Sequence, residues 1–92
     1  MTLFEEKVLA VVKKIPTGKV MTYGEVARKA GKVGASRAVG SIMAKNANKD
    51  VPCHRVVRSD GAIGEYNGLQ GKDKALLLKK EGVRFLGDKV LL

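Results

Sequence analysis

Cysteine, histidine, proline and aromatic residues are all scarce in this 92-residue chain: it has one Cys, one His, two Pro, two Tyr, two Phe and no Trp. One cysteine excludes an internal disulfide. One Cys with one His falls short of a closed zinc site within a single chain, so no metal is expected. So few aromatics exclude the stacking platform by which oligonucleotide-binding barrels hold single strands. No apolar run approaches the about 18 residues of a membrane span, and the first helical pattern, charged on one face from residue 3, is unlike a secretory signal. Repeats, low-complexity tracts and linkers are missing too. These absences point to one small domain over residues 1–92, cytoplasmic (nucleoid) or nuclear rather than secreted, with no membrane partner. A chain this short buries only about 60–70% of its surface and has room for one modest core.

Positive charge is what the chain has in excess. Eighteen Lys and Arg oppose nine Asp and Glu, a formal +9. Basic residues coat ordinary soluble surfaces, but a surplus of this size also suits a polyanion, whose phosphates dominate affinity and make it salt-dependent.

The apolar periodicity outlines three helices. Thr2-Leu3-Phe4-Glu5 has the spacing of a capping box, in which the threonine oxygen and Glu5 each satisfy an orphan backbone donor. Behind it Phe4, Val8, Val11, Val12 and Ile15 form the stripe of a helix buried on one side, which Pro16 stops. Thr22-Tyr23-Gly24-Glu25 is a second box. It opens a short helix with Val26, Ala27 and Ala30 inward and Gly31 placed as a left-handed cap. A connection containing Gly31 and Gly34 leads to a third helix from about Ala35 to Lys45, which completes a helix-turn-helix pattern.

The third helix has an unusual outer face. Ala35, Ala38, Val39, Ile42 and Met43 form its core stripe, while Arg37, Gly40, Ser41 and Ala44 set one long cation among three very small residues. A solvated face is ordinarily filled with Lys, Glu or Gln, and a mid-helix glycine costs about 0.8–1.0 kcal/mol against alanine. Two readings stay open: close packing on a neighbouring helix, or close approach to a nucleic-acid groove, which the arginine favours.

Val51-Pro52-Cys53-His54-Arg55-Val56-Val57 sets the only cysteine beside the only histidine. Only the thiolate is a strong nucleophile, and a free thiol of pKa ~8.5 is scarcely ionised at pH 7. His54 can take the proton, Arg55 can stabilise nearby negative charge, and Pro52 suits the first position of a helical turn. The pair equally fits a buried small hydrophobe beside a satisfied histidine. Farther on, residues 56–64 read as two short extended pieces around a Ser59-Asp60-Gly61 turn. Leu69 to Glu81 reads as a last helix with Leu77 and Leu78 inward and Gly82 as cap, followed by a terminal hairpin around Gly87-Asp88. Glu81 opposes the helix dipole and suits a cationic partner.

Pro52-Cys53-His54-Arg55-Val56 resembles the active-site motif of the O6-alkylguanine-DNA alkyltransferases, and the likeness extends over about residues 3–83. Ile15-Pro16-Thr17-Gly18-Lys19-Val20-Met21-Thr22-Tyr23-Gly24-Glu25-Val26-Ala27 resembles the opening of that family's helix-turn-helix, and Ser36-Arg37-Ala38-Val39-Gly40 its recognition helix. Asn46 resembles its structural asparagine. Ser59-Asp60-Gly61-Ala62-Ile63-Gly64-Glu65-Tyr66 and Leu77-Leu78-Lys79-Lys80-Glu81-Gly82 follow in the family's order. The resemblance implies a mainly α, winged helix-turn-helix DNA-binding domain with small β-hairpin elements. It corresponds to the family's C-terminal DNA-binding and active-site domain, without the N-terminal domain of full-length members.

The resemblance also implies an activity. A monomer would bind the minor groove of double-stranded DNA containing O6-alkylguanine, flip the base, and move the alkyl group stoichiometrically onto Cys53 without a cofactor. Cys53, His54 and Glu81 would form the catalytic relay, of which Glu81 is the third member, reached through water. Tyr66 would donate to the purine, with Asn67 and Val56 also at the base. Tyr23 and Ser59 would meet phosphate, Arg37 would fill the vacated stack, and Gly40 and Ser41 would let the helix approach the groove. Asn46 and Arg55 would support the site.

Some positions depart from the family pattern. Asn67-Gly68 stands where Gly-Gly is usual, and Leu69-Gln70-Gly71-Lys72-Asp73 changes the spacing to the last helix, which implies a lid of different size. Ala47 follows Asn46 where proline is frequent. The terminal hairpin resembles the ends of alkyltransferase-like proteins, which bind alkylated DNA, commonly carry tryptophan in place of the cysteine, and flag damage for other repair. That sensing role is the alternative, and a winged-helix module with an inert Cys53 is another. Retention of Cys53 and Tyr66 favours the reactive group.

Overall fold

The computed structural model describes residues 2–46, 50–63 and 71–92. Among these residues the architecture is mainly helical, with short strands. Helix α1 spans Leu3–Lys13, strand β1 Met21–Thr22, α2 Tyr23–Lys29 and α3 Ser36–Lys45. A 3₁₀ turn at Cys53–Arg55 runs into β2 at Val56–Val57, followed by α4 at Gly71–Lys80 and the strands β3 (Phe85–Leu86) and β4 (Lys89–Val90).

Both N-terminal capping signals are used. The Thr2 hydroxyl accepts from Glu5 N–H at 3.1 Å, which is the threonine half of the first box. At Thr22 both halves form, each at 3.1 Å. Helix α1 buries Val8 and Val12 completely, with Ile15 just past its end. These pack with Tyr23, Val26 and Ala27 of α2 and Val39 and Met43 of α3 in the larger core cluster. Each valine so buried stabilises the fold by roughly 1.5–3 kcal/mol. Ala38, expected in this stripe, is exposed, so the buried face of α3 is narrower than its apolar sequence face.

After the cysteine the expected turn between two extended pieces is present, and the piece before it takes a distant strand partner. The Ser59-Asp60-Gly61 turn forms, with Gly61 N–H donating to Arg58 O at 2.9 Å and Arg58 N–H to Ala62 O at 3.0 Å. Strand β2, however, pairs in parallel with β1, Met21 opposite Val56 and Thr22 opposite Val57. Because side chains alternate along a strand, Val56 enters the larger cluster and Val57 a second one with Leu78 and Val90. Two buried β-branched residues gain more between two clusters than in one solvated hairpin. The other arm of the turn, at Ala62, bridges antiparallel to Lys89. The terminal hairpin forms as expected, Phe85 opposite Val90.

Helix α4 corrects a second expectation. Leu78 is fully buried, but Leu77 is 38% exposed and Lys74, one turn before Leu78, is the side chain that goes inside at 0%. Leu69 and Gln70, the expected first residues of this helix, lie outside the described residues. Its end is secure: Val83 N–H reaches back to Leu78 O and Gly82 N–H to Lys79 O, with Gly82 at φ +90. That 6→1 and 5→2 pairing needs a left-handed residue, for which glycine has no Cβ penalty. Glu81 is the last residue before the reversal, so its carboxylate projects from a fixed point.

Candidate active site

Pro52 precedes rather than occupies the first turn position: it caps the 3₁₀ helix, its carbonyl accepting from Arg55 N–H at 3.0 Å. This short turn separates three consecutive side chains. Cys53 is buried at 6% in the larger cluster, whereas His54 and Arg55 are half-buried. The thiol sulfur accepts from Asn46 Nδ2 at 2.9 Å. Asn46 ends α3 with extended backbone, so the helix-turn-helix and the thiol share one residue. A side-chain N–H aimed at sulfur stabilises the thiolate over the thiol.

His54 is oriented by Glu81. Its Nε2 lies 2.8 Å from Glu81 Oε2. The carboxylate accepts, which assigns the Nε2–H tautomer and leaves Nδ1 as the free base. Arg55 holds the same carboxylate in a two-point clasp, Nε to Oε1 at 2.9 Å and Nη2 to Oε2 at 2.8 Å. It also donates to Ile15 O at 2.8 Å and Thr17 Oγ1 at 3.0 Å. The negative charge that Arg55 stabilises is therefore that of Glu81, and the clasp ties the end of α4 to the loop after α1. Chiefly through the Arg55 hydrogen bond, with help from His54, the Glu81 carboxyl is pushed down to about 2 although burial opposes this. The guanidinium is raised in turn. Glu81 thus stays ionised across the physiological range.

Lys74 is a member of this site that sequence reasoning missed. Its ammonium lies 3.4 Å from Tyr23 Oη, to which it donates, and 5.7 Å from the centre of the Tyr23 ring. Burial pushes it down to about 8, and a charge on Cys53 opposes that fall. The coupling is mutual, so a protonated Lys74 favours the thiolate. A lysine among leucines at helical spacing ordinarily reads as a solvated position, which is why the pattern hid it.

The DNA-facing candidates gather elsewhere. Tyr23, Gly24, Ser36, Arg37, Gly40, Arg58, Ser59 and Asp60 line one open concavity of about 480 Å³. It brings together Tyr23, Arg37, Gly40 and Ser59 from three separate segments, while Ser41 is exposed on α3 outside this lining. Cys53 is not among the lining residues, and Tyr23, whose hydroxyl meets Lys74, is the side chain common to both places. Val56 has its side chain in the core, leaving only its backbone for a ligand. Tyr66 and Asn67 lie outside the described residues.

Comparison with known proteins gives a consistent result. Residues 3–83 match the family described as 6-O-methylguanine DNA methyltransferase, DNA binding domain. The methylated-DNA–protein-cysteine methyltransferase of Methanothermobacter thermautotrophicus is 45% identical over 87 residues, covering 94% of this chain and 48% of the relative. The protein of the same name from Rattus norvegicus is 46% identical over 78 residues, covering 84% and 36%. The chain therefore spans about half the length, or less, of these curated relatives. Among solved structures, S. pombe Atl1 in complex with damaged DNA containing O6-carboxymethylguanine superposes with a TM-score of 0.82 at 39% identity, covering 94% of this chain and 82% of that one. Mycobacterium tuberculosis OGT in complex with DNA gives 0.82 at 37% identity, covering 89% and 50%.

Proposed function

This chain belongs to the O6-methylguanine-DNA methyltransferase family, and from that premise we propose that it repairs O6-alkylguanine in duplex DNA by accepting the alkyl group on Cys53. The observation that carries this reading is a thiol held by Asn46 and followed in the chain by a histidine oriented by a carboxylate. Asn46 donates to the sulfur, and the neighbouring His54 has its far nitrogen committed to an ionised Glu81. His54 Nδ1 takes the thiol proton, directly or through a water, and Glu81 stabilises the imidazolium. The thiolate then attacks the alkyl carbon in line. The S–C bond forms as the C–O6 bond breaks, and guanine leaves with the bonding pair and is protonated at the ring, with Tyr66 donating to the purine. A thioether does not revert, so each molecule acts once. No cofactor takes part.

Access to the base requires flipping, because an atom inside the stack cannot be attacked in line. Tyr23 and Ser59 hold phosphate, Arg37 fills the vacated stack, and the small face at Gly40 and Ser41 admits the helix to the minor groove. The 92 residues act as one monomeric winged-helix unit in the nucleoid or nucleus.

A second reading is damage sensing without transfer. It is favoured by the likeness in fold to Atl1, with which this chain superposes at a TM-score of 0.82. Incubation with duplex containing O6-methylguanine separates the two. The repair reading expects the protein to gain the mass of one methyl group, located at Cys53, with Cys53→Ala still binding the duplex. Full binding with an unmodified Cys53 would assign the chain to the sensors.

A further inference from the structure

We propose that Arg58, on the wall of the concavity facing α3, is a DNA-backbone contact, so that the strand carrying the target nucleotide is gripped from both sides. This inference rests on the duplex-binding part of the reading above and is independent of alkyl transfer. Arg37 and Arg58 both line the same concavity, with the hydroxyls of Ser36 and Ser59 between elements that are far apart in sequence. Both arginines are exposed, and among the described residues neither forms an ion pair. Asp60 feels the charge of Arg58 without forming an ion pair with it, so the guanidinium keeps its donors for bidentate phosphate recognition.

The backbone that places Arg58 is fixed. The β1–β2 register ends at Thr22 opposite Val57, and the next residue of each segment, Tyr23 and Arg58, lines the concavity. The turn that follows is locked by the terminal hairpin: Val90 N–H donates to Gly61 O at 2.8 Å, and Gly61 has φ +88. A Cβ there would stand 2.3 Å from Val90 O, so only glycine permits this approach. Asp60, the one acid among the described residues of the lining, accepts from Ala62 N–H at 2.9 Å and faces Lys89 at 3.7 Å. Two guanidinium charges in the concavity thus meet one carboxylate whose field Lys89 partly cancels.

The test is the salt dependence of binding to unmodified duplex DNA, which needs no repair chemistry. Each phosphate neutralised contributes about 0.9 to the slope of log affinity against log salt concentration. Arg58→Gln is expected to lower that slope by about 1 and to weaken binding several-fold at low salt, whereas Arg58→Lys retains the slope. Arg84→Gln removes an equal charge from a different groove, shared with Gly18 and Leu92, and should leave the slope unchanged. Reaction with free O6-benzylguanine should be the same in Arg58→Gln as in the wild type. An unaltered slope in Arg58→Gln, or an equal fall in Arg84→Gln, overturns the proposal. If Cys53 fails to accept alkyl groups while the slope falls as expected, the transfer reading is lost and the Arg58 contact stands.

Discussion

Replacing Glu81 with glutamine keeps the side chain's shape and removes its charge, and the geometry dictates what must break. Oε1 accepts from Arg55 Nε at 2.9 Å, and Oε2 accepts from Arg55 Nη2 and His54 Nε2, both at 2.8 Å. An amide has only one oxygen. With that oxygen at the Oε2 position, the amide nitrogen meets the Arg55 Nε–H donor to donor. With it at Oε1, the nitrogen faces Arg55 Nη2 and His54, which can respond only by shifting its proton to Nδ1 and losing the base that the thiol needs. The Glu81 carboxyl falls from 4.5 to about 2 on folding, chiefly through Arg55. At ~1.4 kcal/mol per unit this is worth roughly 3 kcal/mol at most. The side chain is 16% exposed, so screening reduces the expected contribution to about 1–2 kcal/mol.

A depressed carboxylate pKa stabilises the fold fully above the unfolded value and loses that effect as pH falls from about 4.5 through 2. Wild-type protein should therefore melt about 5–15 °C above Glu81→Gln at pH 7, given about 4–8 °C per kcal/mol in a domain this size, and the gap should close toward pH 2. Thermal unfolding followed by circular dichroism from pH 7 to pH 2 measures it. A gap constant over that range would refute the ionic account. Alkyl transfer at pH 7 should also slow, with DNA affinity little reduced because the lost charge is negative. Identical thiol titration in the two proteins would leave Glu81 a stabilising residue only.

Arg37→Ala should slow repair in duplex far more than reaction with free O6-benzylguanine, since only the duplex demands extrusion; equal losses would place Arg37 in the fold or the pocket instead. Lys74→Met removes an ammonium that burial holds down to about 8, so at pH 7 the variant should be more stable by at most about 3 kcal/mol. That advantage should shrink as pH rises from 8 towards 10.5, where the wild-type lysine is neutral when folded and still protonated when unfolded. Thiol reactivity should fall in the same variant, a combination that a purely structural lysine would not produce. Stopped-flow thiol modification alongside urea unfolding reads both.

Local signals carried most of the fold. Both threonine caps, the left-handed glycines after α2 and α4, and the stripe of α1 are fixed by residues within one or two turns of one another, and each appears where the sequence placed it. Pairing over distance was not legible. Nothing near Val56-Val57 marks Met21-Thr22 as its partner, and the turn at Ser59-Asp60-Gly61 argues for the nearer hairpin. Helix α4 misled for a related reason. A run of three leucines offers several equivalent stripes, and the choice among them depends on the polar partner that Tyr23 supplies to Lys74 from another helix.

The two cations around the thiol make the same point about the site. Arg55 stands two residues from Cys53 and spends its charge on Glu81, 26 positions away in sequence. Lys74, which no motif marks, is the lysine whose charge is coupled to that of the sulfur. The 3₁₀ turn explains the exchange, because at about three residues per turn consecutive side chains leave it in different directions. Cys53 goes into the core, while His54 and Arg55 go to Glu81. The contiguous Pro52-Cys53-His54-Arg55 letters therefore specify a junction between α1, α3 and α4 as much as a reactive centre, and a substitution at Arg55 should act on the thiol through the position of Glu81 and His54.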